Sequence, residues 1–222
     1  ILYGGDKLLC QICTDHPRYR SFFSERTEIG VGLCCEEAAR LILTKSDRTT
    51  LVVTGEGTLD EEETALLALR DRFFAAAQER EKPIFQRVER FLSLCGASLP
   101  DIPLTQWAEF YLSLERMDEQ WTELLRALRS HADELPLSDF AAHMNGRETE
   151  YEQLLVYFLY RHVPAALDDG DVGSKAAFAA ASVQLLFALG ALQLLQHGTF
   201  TVEDQIELCR LYSAEVEYSD DN

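Results

Sequence analysis

The sequence predicts an all-α protein, a bundle of about six to eight helices behind a small cysteine-bearing N-terminal lobe. Three observations lead there. Hydrophobic residues make up 47% of the 222-residue chain and aromatic residues 10%, enough for a substantial core. Apolar residues recur at helical spacing in one segment after another, several with acidic first turns and with Pro or Gly at their ends. Only residues 49–54 read as a strand. On this reading 1–48 form the cysteine lobe and 49–222 the helical bundle.

Taken in order, residues 1–45 are dense in cysteine and glycine. They pass through a loop, Asp15-His16-Pro17-Arg18-Tyr19-Arg20, into a helix over about 35–44, where Glu36 and Glu37 suit the positive N-terminus. The β-like run 49–54 is followed by Gly55-Glu56-Gly57. Asp60 then opens a long helix through Glu79, with Leu66, Leu69, Phe73, Ala76 and Ala77 on one face. Pro83 starts the next helix, which closes at Cys95-Gly96. Pro100 and Pro103 mark a connector, and Thr105 reads as the N-cap of a helix carrying Trp107, Phe110, Tyr111 and Leu114. Another helix carries Trp121, Leu124, Leu125 and Leu128. Three more cover about 149–167, 174–196 and 202–213. Residues 176–195 approach the roughly 20 apolar positions a bilayer span needs. Ser182, Gln184 and Gln193 interrupt them, however, and no basic cluster flanks them. A helix apolar on all sides at the centre of a bundle is expected.

Lys and Arg number 20 against 38 Asp and Glu, a formal net charge of −18. Such a surface repels phosphate backbones and anionic headgroups, so nucleic acid and membrane surfaces are excluded as partners. A basic or lysine-bearing protein fits the field. Residues 1–7 are too short for a signal peptide and contain Gly4, Gly5 and Asp6. The six cysteines therefore read as ligands or thiols of a cytoplasmic protein rather than as a disulfide framework.

Cys10-Gln11-Ile12-Cys13 is a C-x2-C pair, the spacing at which two thiolates in a tight turn reach one metal. Cys34-Cys35 and His16 could add ligands, although adjacent cysteines rarely both face one ion. A redox-active thiol pair and simple packing are the competing readings. Cys95 and Cys209 are expected in the core. Gly55-Glu56-Gly57 lacks the third glycine and the βαβ setting of a dinucleotide turn. No Walker loop, H-E-x-x-H or G-x-S-x-G motif is present. In the stretch from Tyr151 to His162, Tyr157, Tyr160 and Arg161 share one side of a helix. Arg161 on so apolar a helix needs a partner. Asp168, Asp169, Asp171 or a ligand carboxylate could serve, in a structural ion pair or in a site. The closing Glu215-Val216-Glu217-Tyr218-Ser219-Asp220 run reads as a solvated helix end or as a wall of the same cleft.

Several of these stretches, in consistent order, resemble the flagellin lysine-N-methylase family. Leu9-Cys10-Gln11-Ile12-Cys13, His16-Pro17-Arg18 and the run from Gly32 through Cys34-Cys35-Glu36-Glu37 to Leu43 are similar to its cysteine region. Leu69-Arg70-Asp71 and Gln78-Glu79-Arg80, with Pro83 and Arg87, resemble its middle helices. Residues 155–162, Asp169-Gly170-Asp171 and Glu215-Val216-Glu217-Tyr218-Ser219 resemble its C-terminal half. The resemblance implies methyl transfer from S-adenosylmethionine to lysine ε-amino groups of a protein, flagellin, and an iron–sulfur cluster or zinc centre. It implies a fragment whose first cysteines lie upstream. Cys34 stands where many relatives carry serine, which favours Cys35 as the ligand beside Cys10 and Cys13. No catalytic residue is carried over from the family. Because lysine must lose a proton before it attacks, nearby tyrosines and carboxylates are the candidate helpers: Tyr157, Tyr160, Asp171 and Glu217, with Arg161 among them. Two other functions compete: a non-catalytic acidic interaction module with a structural zinc, and a redox sensor joining Cys10 to Cys13.

Overall fold

A computed structural model describes residues 15–218. A short antiparallel hairpin comes first, β1 (Arg18–Phe22) and β2 (Thr27–Val31), with Tyr19 opposite Gly30 and Ser21 opposite Glu28. Helices follow: α1 (Glu36–Leu43), α2 (Glu61–Ala77), α3 (Ile84–Leu94), α4 (Leu104–Ser113), α5 (Glu119–His131), α6 (Leu137–His143) and α7 (Thr149–His162). A single turn, α8 (Ala166–Asp169), leads to the long α9 (Val172–His197) and then to α10 (Val202–Tyr212), which runs into a π-helical turn at Ser213–Glu217. The all-α expectation holds, with the hairpin as the sheet among the described residues.

The core forms around α7 and α9, which pack against each other and against most other helices. From Tyr151 to Leu159 every residue of α7 is buried, so the helix has neighbours on all sides. Its partner α9 is long and apolar enough to cross a membrane, yet 72% of its most apolar window is buried inside the protein. That is the core-helix reading of its composition.

Local signals set several boundaries. The Asp60 side chain accepts from the Glu63 N–H, and Glu63 reaches back to the Asp60 N–H, a reciprocal cap that starts α2. Thr201 and Asp204 do the same for α10. Gly96, at φ +69°, ends the turn after α3 as expected.

Other expectations are corrected. Residues 49–54 form no strand and pair with none among the described residues, because a cleft separates them from β2. The N-cap of α4 is Pro103, not Thr105, since proline lacks only an N–H that a first turn leaves unused. The loop expected at 15–20 keeps a turn at 16–17, but from Arg18 it is β1, where Tyr19 and Ser21 alternate with the exposed Arg18, Arg20 and Phe22. The inner side of α2 carries Leu67, Arg70, Phe73, Phe74 and Ala77, while Leu66 and Leu69 are half-buried. Arg70 faces inward because Glu28 meets it in two parallel hydrogen bonds of 2.5 and 2.8 Å.

Buried charges lock the elements that frame the cleft. Arg70–Glu28 ties α2 to β2, and Glu152 of α7 takes Arg80 at 2.7 Å and Arg87 at 2.9 Å. The Gln153 amide donates to the carbonyls of Lys45 and Asp47. Gln78 both donates to the Thr49 carbonyl and accepts from the Thr49 N–H, which anchors the start of segment 49–54.

Candidate active site

A cleft of about 700 Å³ opens along β2. Its floor is one face of α7, carrying Gln153, Val156, Tyr157 and Tyr160 at positions a helical turn apart. Leu41, Ile42 and Lys45 close one side, and residues 49–57, a strap without regular structure, face β2 across the opening. Glu25 receives the N–H and hydroxyl of Thr58, both at 2.9 Å, which pins the far end of the strap to the hairpin turn. Gly57 is required there, because a side chain would run into the Glu25 carbonyl. Tyr19, Tyr157 and Tyr160 bring aromatic surface to the cleft, and Glu25, Glu28 and Glu56 bring carboxylates.

Behind the tyrosine wall, the π-helical turn carries Glu217 into the interior, where its side chain is fully buried. Tyr157 donates to Glu217 at 3.0 Å, and Arg161 lies 3.3 Å from the same carboxylate. The His162 ring nitrogen Nε2 sits 2.8 Å away. Arg161 also donates to the Tyr157 hydroxyl at 2.7 Å, and its guanidinium lies between the rings of Tyr19 and Tyr218, at 4.9 and 4.6 Å. The Leu33 N–H reaches the Tyr157 oxygen at 3.3 Å, so that hydroxyl has its donor and both acceptor positions engaged. Burial, reinforced by Glu217, pushes the Tyr157 phenol well above its usual range. It is a proton-bearing hydroxyl at neutral pH.

Tyr160 is placed differently. It is half-buried, its hydroxyl donates to the Ile29 carbonyl at 3.2 Å, and no second polar partner for it is found among the described residues. Burial and then the nearby Glu28 raise its pKa as well. Its oxygen keeps a free acceptor position.

Of the five catalytic candidates, Tyr157, Tyr160, Arg161 and Glu217 are thus brought together. Asp171 is employed elsewhere, since its carboxylate caps α9 by accepting from the Ser174 N–H and hydroxyl. The expected partnership of Arg161 with Asp168, Asp169 or Asp171 is corrected. Asp169 pairs with Lys175 at 2.6 Å, and Arg161 finds Glu217 instead. Tyr19 and Glu28 were not foreseen, whereas Tyr218 belongs to the closing run read as a helix end or a wall of the same cleft. The one available signal was the inward-facing Arg70, whose charge requires a buried carboxylate.

Among the candidate metal ligands, Cys10 and Cys13 lie outside the described residues. His16 is exposed, and Cys34 and Cys35 are half-buried where the chain leaves the hairpin for α1. Burial pushes the Cys34 thiol up, against the pull of the Tyr218 hydroxyl and the Arg161 charge. No three His, Cys, Asp or Glu side chains among the described residues are grouped to hold a metal ion. The Gly32 N–H donates to the Pro17 carbonyl at 2.7 Å, so the chain soon after Cys13 runs beside the chain just before Cys34. Cys209 is buried, with its thiol pushed to about 12 by burial. Cys95, expected in the core, is half-buried. A second cavity of about 790 Å³, between α3, α6 and α9, is largely apolar and includes Glu89 and Gln184.

Comparison with curated proteins and with solved structures gives no match. The sequence model of the FliB lysine N-methylase C-terminal domain matches residues 32–222, a region that holds most of the cleft, Glu217 and the Cys34-Cys35 pair. The chain therefore belongs to the FliB lysine N-methylase C-terminal domain family.

Proposed function

We propose that the protein methylates lysine ε-amino groups of a protein substrate, flagellin, and that the cleft between β2, the strap and α7 receives the target lysine. One observation carries this reading. The cleft lies largely within the family's region and combines three tyrosines with carboxylates beside the Cys34-Cys35 junction. A lysine enters as an ammonium, which carboxylates attract. It must lose a proton before its nitrogen can attack. S-adenosylmethionine, the donor that the family resemblance implies, supplies a methyl group made electrophilic by its sulfonium.

Within the cleft, the free acceptor position of Tyr160 orients the amine, and Glu25 and Glu56 draw it in. Tyr157, Arg161 and Glu217 hold the wall, because their polar groups are already committed to one another. For the metal centre, Cys10, Cys13 and Cys35 would be the ligands, with the Cys34 thiol turned toward Tyr218. The Pro17–Gly32 contact supports convergence of those segments. An iron–sulfur cluster or zinc held there would fix the opening segment against the hairpin.

Full-length protein co-expressed with flagellin should add mass to flagellin in steps of one methylene, read by mass spectrometry. Tyr160→Phe should lower the rate about tenfold while leaving the fold intact, the scale of one lost hydrogen bond. Unmodified flagellin in the presence of metal-loaded enzyme would sink the reading.

A further inference from the structure

The shape of the cleft carries a more specific inference, which rests on the proposed lysine methylation. We infer that the substrate enters as an extended, lysine-bearing peptide that adds to the free edge of β2, so that main-chain pairing delivers the side chain to Tyr160.

Strand pairing defines that edge. The hairpin bonds join Phe23 to Arg26 and Gly32 to Pro17, and between them the pairs Tyr19–Gly30 and Ser21–Glu28 stand in hydrogen-bonding register. Thr27, Ile29 and Val31 therefore turn their main-chain groups away from β1. Every residue of β2 lines the cleft, whereas β1 contributes only Tyr19, so the cleft follows this outer edge rather than the sheet face. Tyr160 takes the Ile29 carbonyl. The N–H groups of Ile29 and Val31 have no partner among the described residues. Among the described residues they stand as open donors on an edge where only the Tyr160 hydroxyl is seated, the feature that peptide-capturing sheets use.

The opposite wall suits the same occupant. The strap has no regular structure and is anchored at both ends, by Gln78 at Thr49 and by Glu25 at Thr58, and among the described residues no hydrogen bond joins it to β2. An entering strand would lie about 4.8 Å from β2, inside the cleft that separates β2 from the strap. Apolar side chains stand exposed along the rim: Ile29 at 55%, Leu41 at 66%, Val52 at 86% and Val53 at 64%. They offer contacts to alternate residues of an entering strand, while the residues between point into the cleft. Arg26 and Lys45 line the cleft beside Glu25 and Glu56, so it is the net charge of −18 that selects a basic peptide over an acidic one.

The probe is a peptide of about ten residues in which lysine alternates with valine, added to the full-length protein. Hydrogen exchange should slow at the amides of Ile29 and Val31 when it binds. The same peptide methylated on alternate backbone nitrogens should bind at least about tenfold more weakly, since it keeps its charges but loses half its pairing donors. Ile29→Pro removes an outward N–H that the hairpin does not use, a substitution edge strands tolerate, and should weaken binding similarly, whereas Ile29→Ala should not. Failure to bind, equal binding of the N-methylated peptide, or protection confined to other amides would each overturn the inference. Protection of β2 without methylation of flagellin would instead remove only the proposed activity. Methylation without protection would remove only the slot.

Discussion

Glu217 organises the wall of the cleft. Its buried carboxylate takes Tyr157, Arg161 and His162, and Arg161 has its charge balanced by no other carboxylate within 4 Å among the described residues. Burying an ion pair is a weak source of stability, but removing one partner is costly because the other charge stays behind. Glu217→Leu should therefore destabilise the protein by about 3–5 kcal/mol in urea denaturation. Adding Arg161→Met should recover most of that loss, since the stranded charge is then gone. A double variant as unstable as the single one would show that Glu217 acts through Tyr157 and His162 instead. The same logic applies to Glu152, whose buried carboxylate serves Arg80 and Arg87 together.

Among the elements, α9 shows how close packing limits sequence. Gly190 sits mid-helix, where glycine costs up to about 1 kcal/mol relative to alanine. Its position is decided by α6, because a Cβ there would lie 2.5 Å from the Phe140 ring and 3.2 Å from the Phe200 ring. Gly190→Ala should consequently destabilise by about 1–3 kcal/mol, against its own helix propensity, as judged from thermal unfolding. A gain in stability would mean that Phe140 can move aside. The strap is the opposite case, held at its ends by Gln78 and Glu25 with a middle that is exposed.

Across the whole molecule, buried tyrosines set the alkaline limit. Burial pushes Tyr111 up to about 12, and raises Tyr151, Tyr157 and Tyr212 well above their usual value of 10. Below pH 10 both folded and unfolded chains keep these protons. Above it the unfolded chain releases them while the folded chain does not, so stability falls as pH rises toward the folded values. The urea midpoint should drop steadily between about pH 9 and about pH 11, with tyrosinate absorbance from these residues appearing together with unfolding. Their ionisation in a chain that keeps its native circular dichroism would contradict the packing described for α7 and α10.

By itself the sequence determined the helical class, most helix boundaries and which side chains share one face of α7. These depend on neighbours a turn apart: the Asp60–Glu63 cap, Pro83 before α3, Gly96 after it, and the shared face of Tyr157, Tyr160 and Arg161. Tertiary structure alone decided that Arg161 would meet Glu217, 56 positions away, rather than the aspartates just beyond it. It also decided that 49–54 would be a strap and 18–31 a hairpin. The physical reason is that a charge or a strand is completed by whatever packing brings within a few ångströms. Periodicity along the chain specifies which face is apolar, but not which distant group the remaining polar atoms will find.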